Sequence, residues 1–82
     1  MNERPARILT IDDEQMVREI LAAYLEDSGF EVTQARDGRA GVEMIRDEQP
    51  DLVLCDLRMP GMDGLQVLAT VTREFPELPI LV

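Results

Sequence analysis

The apolar run Leu52–Cys55 constrains the fold more than any other feature of the chain. It is bounded by Asp51 and Asp56, and no polar residue alternates within it. Such a run is typical of a strand that is buried on both faces, as in a parallel sheet covered by helices. A cluster of turn-forming residues follows at positions 60–64. Because a carboxylate at the end of a buried strand is costly to desolvate, Asp56 indicates a functional site.

Strands and helices alternate on either side of this run. Short apolar segments predict further strands at residues 7–11, 30–35 and 80–82. Helical spacing predicts three helices, one between residues 13 and 28, one between 38 and 50, and one over about 63–75. Strict alternation with short connections predicts an α/β doubly wound parallel sheet with helices on its faces.

The three-to-four spacing also predicts which helical residues are buried. In the first helix these are Val17, Ile20, Leu21, Tyr24 and Leu25; in the second, Ala40, Val42, Met44 and Ile45; in the third, Leu65, Leu68, Val71 and Phe75. Arg18 falls on the predicted solvent side of the first helix. Gly29 is suited to a left-handed helix end. Gly41, inside the second helix, costs about 1 kcal/mol relative to alanine.

Composition limits the class of protein. Eighty-two residues allow one domain, and 17 acidic against 8 basic residues give a net charge of −9. This charge opposes direct binding to nucleic acid or to an anionic membrane. The sequence has no apolar run of membrane-spanning length, and residues 1–7 do not resemble a signal peptide. The single cysteine, Cys55, favours a reducing cytoplasmic location.

Three carboxylates are expected at one edge of the sheet. Asp12 and Asp13 close the first strand, and Asp56 closes the third. In open α/β sheets, ligands bind outside the carboxyl ends of the strands, where the strand order switches. Oxygen ligands of this kind select a hard cation such as Mg²⁺. A carboxylate can also act as a nucleophile toward a phosphoryl group, and the backbone amides after Asp56 could hold its oxygens.

Simpler interpretations exist for each residue taken alone. Asp13 could cap the first helix. Asp56 could be a turn residue, because the sequence that follows it favours a turn. Met59 and Met62 are expected to pack rather than to bind a metal. The combination of an acidic pair, a single acid and a Pro/Gly turn favours a site over these interpretations.

The motifs together resemble the receiver domain of bacterial two-component response regulators. Those that carry the resemblance are Ile-Asp-Asp-Glu at 11–14, Ala-Arg-Asp-Gly at 35–38, Pro-Asp-Leu-Val-Leu-Cys-Asp at 50–56 and Asp-Leu-Arg-Met-Pro-Gly-Met-Asp-Gly at 56–64. The resemblance covers residues 7–82 and leaves 1–6 as an N-terminal tail. It implies a flavodoxin-like fold, of which this sequence covers the part up to the start of strand four.

The resemblance also implies roles for particular residues. Asp56 would be the phosphoacceptor, and the loop after it would be shaped by Met59, Pro60 and Gly64. Mg²⁺ would be held by Asp12, Asp13, Asp56 and the backbone carbonyl of Arg58. The implied phosphoryl donor is a sensor histidine kinase or a phosphotransfer protein. The domain would be a switch, catalysing only its own phosphorylation and dephosphorylation, that acts on an output domain or partner beyond residue 82 and can dimerise.

Two other functional classes stay open at this point. One is a Mg²⁺-dependent phosphatase or phosphotransferase with an aspartyl nucleophile; such enzymes generally carry a second aspartate two residues later, where this chain has Arg58. The other is an interaction module with an inactive site.

The resemblance places several expected parts of a receiver after Val82. These are the Ser or Thr at the end of strand four, the Lys at the end of strand five, the fourth and fifth helices and the fifth strand. We therefore expect residues 1–82 alone to be loosely folded or to associate through the edge of strand four.

Overall fold

The computed structural model describes residues 4–56, 58 and 64–82. In chain order the elements are β1 (Arg7–Ile11), α1 (Gln15–Asp27), β2 (Glu31–Ala35), α2 (Gly38–Glu48), β3 (Leu52–Cys55), α3 (Gly64–Glu74) and β4 (Ile80–Leu81). None of the helices in these ranges is long and apolar enough to cross a membrane. The predicted alternation of strands and helices is confirmed.

The four strands form one parallel sheet in the order β2-β1-β3-β4. β1 lies between β2 and β3, with Ile11 opposite Ala35 on one side and Cys55 on the other. The chain therefore moves outward in one direction from β1 to β2, and in the other direction from β1 to β3 and β4. This is the switch in strand order beside which doubly wound proteins bind ligands.

The sheet has helices on both faces, but the two faces are not equally covered. Successive residues of β1 point to opposite sides, so Leu9 and Ile11 join the core beneath α2 and α3, while Ile8 and Thr10 lie outside that cluster. The main core consists of Leu9, Ile11, Ala35, Val42, Ile45, Val53, Cys55, Val67 and Val71. α1 contacts β1 and β2, with Ala22 as its only fully buried residue.

The ends of α1 and α2 follow from local residue chemistry. At the C-terminus of α1, the Gly29 N–H donates to Glu26 O and the Phe30 N–H donates to Leu25 O. Gly29 has φ of 100°, which confirms the predicted left-handed end. Phe30 is thus part of this helix end, and β2 begins one residue later than predicted. Asp37 caps α2 by accepting from the Ala40 N–H at 2.8 Å.

The predicted buried face is wrong at three positions. Ile20 and Tyr24 on α1 are 63% and 70% exposed, and Leu65 on α3 is 63% exposed. α1 instead turns Ala22 and the half-buried Val17, Leu21 and Leu25 toward the sheet. On α3 the buried residues are Gly64, Val67 and Val71, so Val67 takes the place predicted for Leu65. The spacing of apolar residues is compatible with burial of either of two faces of these helices, and tertiary packing determines which face is buried.

Gly41 has a packing role that helix propensity does not show. It is buried in α2 directly over β1, and a Cβ at this position would lie 2.8 Å from Ile11 Cγ1. Only a residue without a side chain permits this close approach of α2 to the sheet. The helix-propensity cost of Gly41 is therefore accompanied by tight packing over the central strand.

Candidate functional site

The acidic residues lie where β1 and β3 end side by side. The Asp56 N–H donates to Ile11 O at 2.9 Å, and the Asp12 N–H donates to Ala35 O at 3.1 Å. Both bonds extend the ladder of the sheet by one residue beyond its strands. The backbone of each aspartate is thereby held at the carboxyl edge of the sheet.

Asp12, Asp13 and Asp56 bring their carboxylates together at this edge. One oxygen from each side chain lies within 4.8 Å of the other two. Asp12 and Asp56 are half-buried, whereas Asp13 is exposed. Three anionic groups this close repel one another unless a cation or solvent screens them.

The donor set fits a magnesium ion. Mg²⁺ binds oxygen ligands at about 2.0–2.1 Å, so opposite ligands of an octahedron are about 4.2 Å apart. The 4.8 Å span of the three carboxylate oxygens is close to that separation. Mg²⁺ also keeps several water ligands, and the exposed side of Asp13 leaves room for them. The three residues therefore have the spacing and chemistry to share one hard cation.

The turn after β1 excludes helix capping as the role of Asp13. Helix α1 begins at Gln15, and its N-cap residue is Glu14, which makes no capping bond through its side chain. It is Asp12 whose Oδ1 accepts from the Glu14 N–H, at 2.9 Å. Asp13 lies between them with its side chain exposed, so the alternative that it caps α1 is wrong.

Arg18 contacts the site, contrary to its predicted place on the solvent side of α1. It is half-buried, and its Nη1 donates to the backbone oxygen of Asp12 at 2.7 Å. Periodicity could not show this contact, because the bond runs beyond the helix to the turn that precedes it. The one available sequence signal is that Arg18 is the only base between residues 8 and 35.

The loop after β3 is described only in part. The Arg58 N–H donates to Asp56 Oδ1 at 3.2 Å, so a backbone amide does face the carboxylate. Gly64 is buried as the first residue of α3. Met59 and Pro60, predicted to shape the loop, lie outside the described residues, and the metal-binding role of the Arg58 carbonyl stays a prediction.

A cavity of about 260 Å³ adjoins the acidic cluster. Asp12 and Asp56 form part of its wall, and Leu21, Leu54 and Leu81 contribute apolar surface. A larger cavity of about 550 Å³ lies around residues 75–79 and includes Asp51, at the opposite end of β3. Because the carboxylate cluster lies only at the first, chemistry rather than size identifies the candidate site.

The family assignment agrees with this placement of acids at the switch in strand order. The family model of the response regulator receiver domain matches residues 8–82. The chain belongs to this family. Its flavodoxin-like receiver fold is the one that the sequence motifs predict.

The curated relatives that match are much longer than this chain. The chain is 42% identical over 78 residues to the response regulator MprA of Mycolicibacterium vanbaalenii, covering 95% of this chain and 34% of that protein. It is 34% identical over 82 residues to the transcriptional regulatory protein GlrR of Escherichia coli, covering all of this chain and 18% of that protein. The chain thus spans about a third or less of these relatives.

Solved receiver structures share the fold. The response regulator TrrA of Thermotoga maritima, in complex with Mg²⁺-BeF, matches with a TM-score of 0.89 and 33% identity over 92% of this chain and 65% of that one. NtrX of Brucella abortus matches with a TM-score of 0.88 and 37% identity, covering 93% of this chain and 18% of that one.

Proposed function

We propose that this receiver accepts a phosphoryl group on Asp56 in a two-component relay and switches an output domain or partner. The observation that carries the proposal is the convergence of three carboxylates within 4.8 Å at the ends of β1 and β3. Structural likeness to a response regulator in complex with Mg²⁺-BeF supports the same assignment. A cytoplasmic location, where a kinase and its receiver can meet, belongs to this proposal.

The chain's own residues supply the phosphoacceptor, Asp56, and a group that orients its carboxylate. An Asp56 carboxylate oxygen attacks the phosphorus of a phosphohistidine; an O–P bond forms, the N–P bond breaks, and the imidazole leaves with its electron pair and takes up a proton. The product is an acyl phosphate on Asp56. The Arg58 N–H, which donates to Asp56 Oδ1, orients the carboxylate so that its other oxygen can attack.

Asp12 and Asp13 would hold the metal beside the acceptor, together with Asp56 and the Arg58 carbonyl. When bound, Mg²⁺ would screen the repulsion between the anionic acceptor and the anionic phosphoryl group. Asp12 is the better fixed of the pair, because its N–H and its Oδ1 are both hydrogen-bonded. Asp13 is exposed and leaves the solvent side of the site open.

Substitution of the acceptor tests the proposal in the full-length protein. Asp56→Ala and Asp56→Asn should abolish hydroxylamine-labile labelling by a kinase or a small phosphodonor, because neither replacement offers a carboxylate nucleophile. Asp47→Ala, which removes an exposed acid of α2, is the matched control and should label normally. Undiminished labelling of Asp56→Ala would show that the phosphoacceptor lies elsewhere.

A further inference from the structure

We propose that Arg18 is a positioning residue for the metal site, acting through the backbone of Asp12; this rests on the proposed function. The guanidinium reaches out of α1 to the turn after β1, where its Nη1 lies 2.7 Å from Asp12 O. The distance is that of a strong, charge-assisted hydrogen bond. The bond joins α1 to the residue that follows the central strand.

With this bond, three polar groups of Asp12 are hydrogen-bonded. Its N–H donates to Ala35 O at the end of β2, and its Oδ1 accepts from the Glu14 N–H. Arg18 secures the remaining backbone group, the carbonyl oxygen. A carboxylate that binds a weakly held ion gains affinity when its orientation is fixed before the ion arrives.

The partner that Arg18 binds is informative. A guanidinium commonly pairs with a carboxylate, and a bidentate pair is the strongest option. Within the described part of the chain, Arg18 instead makes no ion pair, and its hydrogen bond goes to a backbone oxygen. Arg18 thus orders the turn without occupying a carboxylate that a cation would use.

A role of Arg18 as a positioning group and a role as a nearby positive charge predict opposite effects of its removal on Mg²⁺ affinity. As a nearby positive charge, Arg18 repels Mg²⁺, so its loss would tighten Mg²⁺ binding. As a positioning group, it preorganises Asp12, so its loss would weaken binding. We expect the second effect to dominate, with Arg18→Met weakening Mg²⁺ binding by about 10-fold, the lower end of the range for groups that orient metal ligands.

The test is a titration of the full-length protein with MgCl₂ alone. Mg²⁺ binding is monitored through changes in the backbone amide chemical shifts. No phosphodonor is present, so Mg²⁺ affinity is measured independently of phosphoryl transfer. In the metal-free protein, Arg18→Met should also speed hydrogen exchange of the Glu14 amide while the amides of β1 and β3 keep their protection. Arg18→Lys, which keeps the charge and one donor, should recover part of the affinity.

Arg39→Met is the matched control, because it makes the same substitution at an exposed position on α2. It should leave the Mg²⁺ titration unchanged. If Arg18→Met binds Mg²⁺ as tightly as the wild type or more tightly, the positioning role is wrong while the metal site stands. If the wild-type protein itself shows no Mg²⁺ response at the three aspartates, the proposed metal site fails and the role of Arg18 fails with it.

Discussion

At the scale of single residues, the three carboxylates of the acidic cluster repel one another, and a bound cation would reduce that repulsion. Asp12, Asp13 and Asp56 carry three negative charges within 4.8 Å of one another. At such distances two unit charges in water interact by about 1 kcal/mol. Removing one of these acids should therefore affect the metal-free and the metal-bound protein in opposite directions.

Asp13→Ala tests this at the exposed member of the cluster. In the full-length protein it should weaken Mg²⁺ binding by at least about 10-fold, because Asp13 is a proposed ligand and loss of a ligand matters no less than loss of a group that orients one. Without Mg²⁺ it should leave the free energy of unfolding unchanged or raise it by up to about 1 kcal/mol. Mg²⁺ titration and urea unfolding measure the two effects.

Asp27→Ala is the control for Asp13→Ala. It removes the same charge from the last residue of α1, at the end of the helix remote from the site. It should bind Mg²⁺ as the wild type does. A titration of Asp13→Ala that matches the wild type would remove Asp13 from the metal site.

At the scale of elements, the contact of α2 with β1 depends on the missing side chain of Gly41. Gly41→Ala gains about 1 kcal/mol of helix propensity, but its Cβ would meet Ile11, whose Cγ1 lies at 2.8 Å. Overpacking of a core costs about 1–3 kcal/mol. We expect Gly41→Ala to lower the free energy of unfolding by about 1 kcal/mol net.

A double mutant isolates the steric cause. Ile11→Val removes Cδ1, the Ile11 atom nearest to the added Cβ. In that background Gly41→Ala should be less destabilising, because the closest of the Ile11 atoms that its Cβ meets is gone while Cγ1 remains. Equal destabilisation in both backgrounds would mean that the contact with Ile11 is not the cause.

Helices α2 and α3 are joined by a pH-sensitive ion pair. Glu74 Oε1 accepts from Arg46 Nη2 at 2.8 Å, and its Oε2 accepts from Arg73 Nη2 at 3.3 Å. The hydrogen bond from Arg46, reinforced by the charges of both arginines, holds the pKa of Glu74 below its ordinary value. The stabilisation is therefore complete above the ordinary glutamate pKa and is lost as the pH falls through the lowered one.

Glu74→Gln should reveal this dependence. At neutral pH its urea midpoint should lie below that of the wild type, and the gap should close as the pH falls into the acid range where folded Glu74 takes up its proton. The pair is exposed, so salt should narrow the gap as well. Glu77→Gln, an exposed neighbour, is the control. A gap that stays constant with pH would contradict the assignment.

At the scale of the whole molecule, the helices cover the two faces of the sheet unequally. The core lies under α2 and α3, whereas α1 carries an exposed stripe of Met16, Ile20 and Tyr24. β4 has two residues, β3 is its only partner among the described strands, and its Leu81 is 58% exposed. Unpaired strand edges and apolar patches are sites of association.

We predict that the isolated polypeptide of residues 1–82 associates through β4 or is loosely folded. Size-exclusion chromatography should show an elution volume that depends on concentration. Leu81→Lys, which places a charge on the edge strand, should shift the distribution toward monomer. Tyr24→Lys, on α1, tests the stripe separately. A monodisperse monomer that unfolds cooperatively in urea would show that the four strands form a self-sufficient unit.

Local sequence patterns were sufficient to predict the bounds of elements that end at a change in residue type, such as an acid after an apolar run or a glycine after a helix. Arg7–Ile11 and Leu52–Cys55 have the predicted bounds because apolar runs stop at acids there. Gly29 ends α1 as predicted, because glycine tolerates its positive φ. The shared location of the acidic residues after β1 and β3 could also be predicted, because the carboxyl ends of parallel strands lie at the same edge of a sheet.

Tertiary structure decided what depends on distant partners. Ile20 and Tyr24 fit a buried stripe by spacing, but α1 meets the sheet along Ala22 instead, because helix orientation is set by packing rather than by period. The span between Asp12 and Asp56 follows from the pairing of Ile11 with Cys55, 44 residues apart in sequence. The contact of Arg18 with Asp12 O depends on how α1 leaves the turn, which no local pattern encodes.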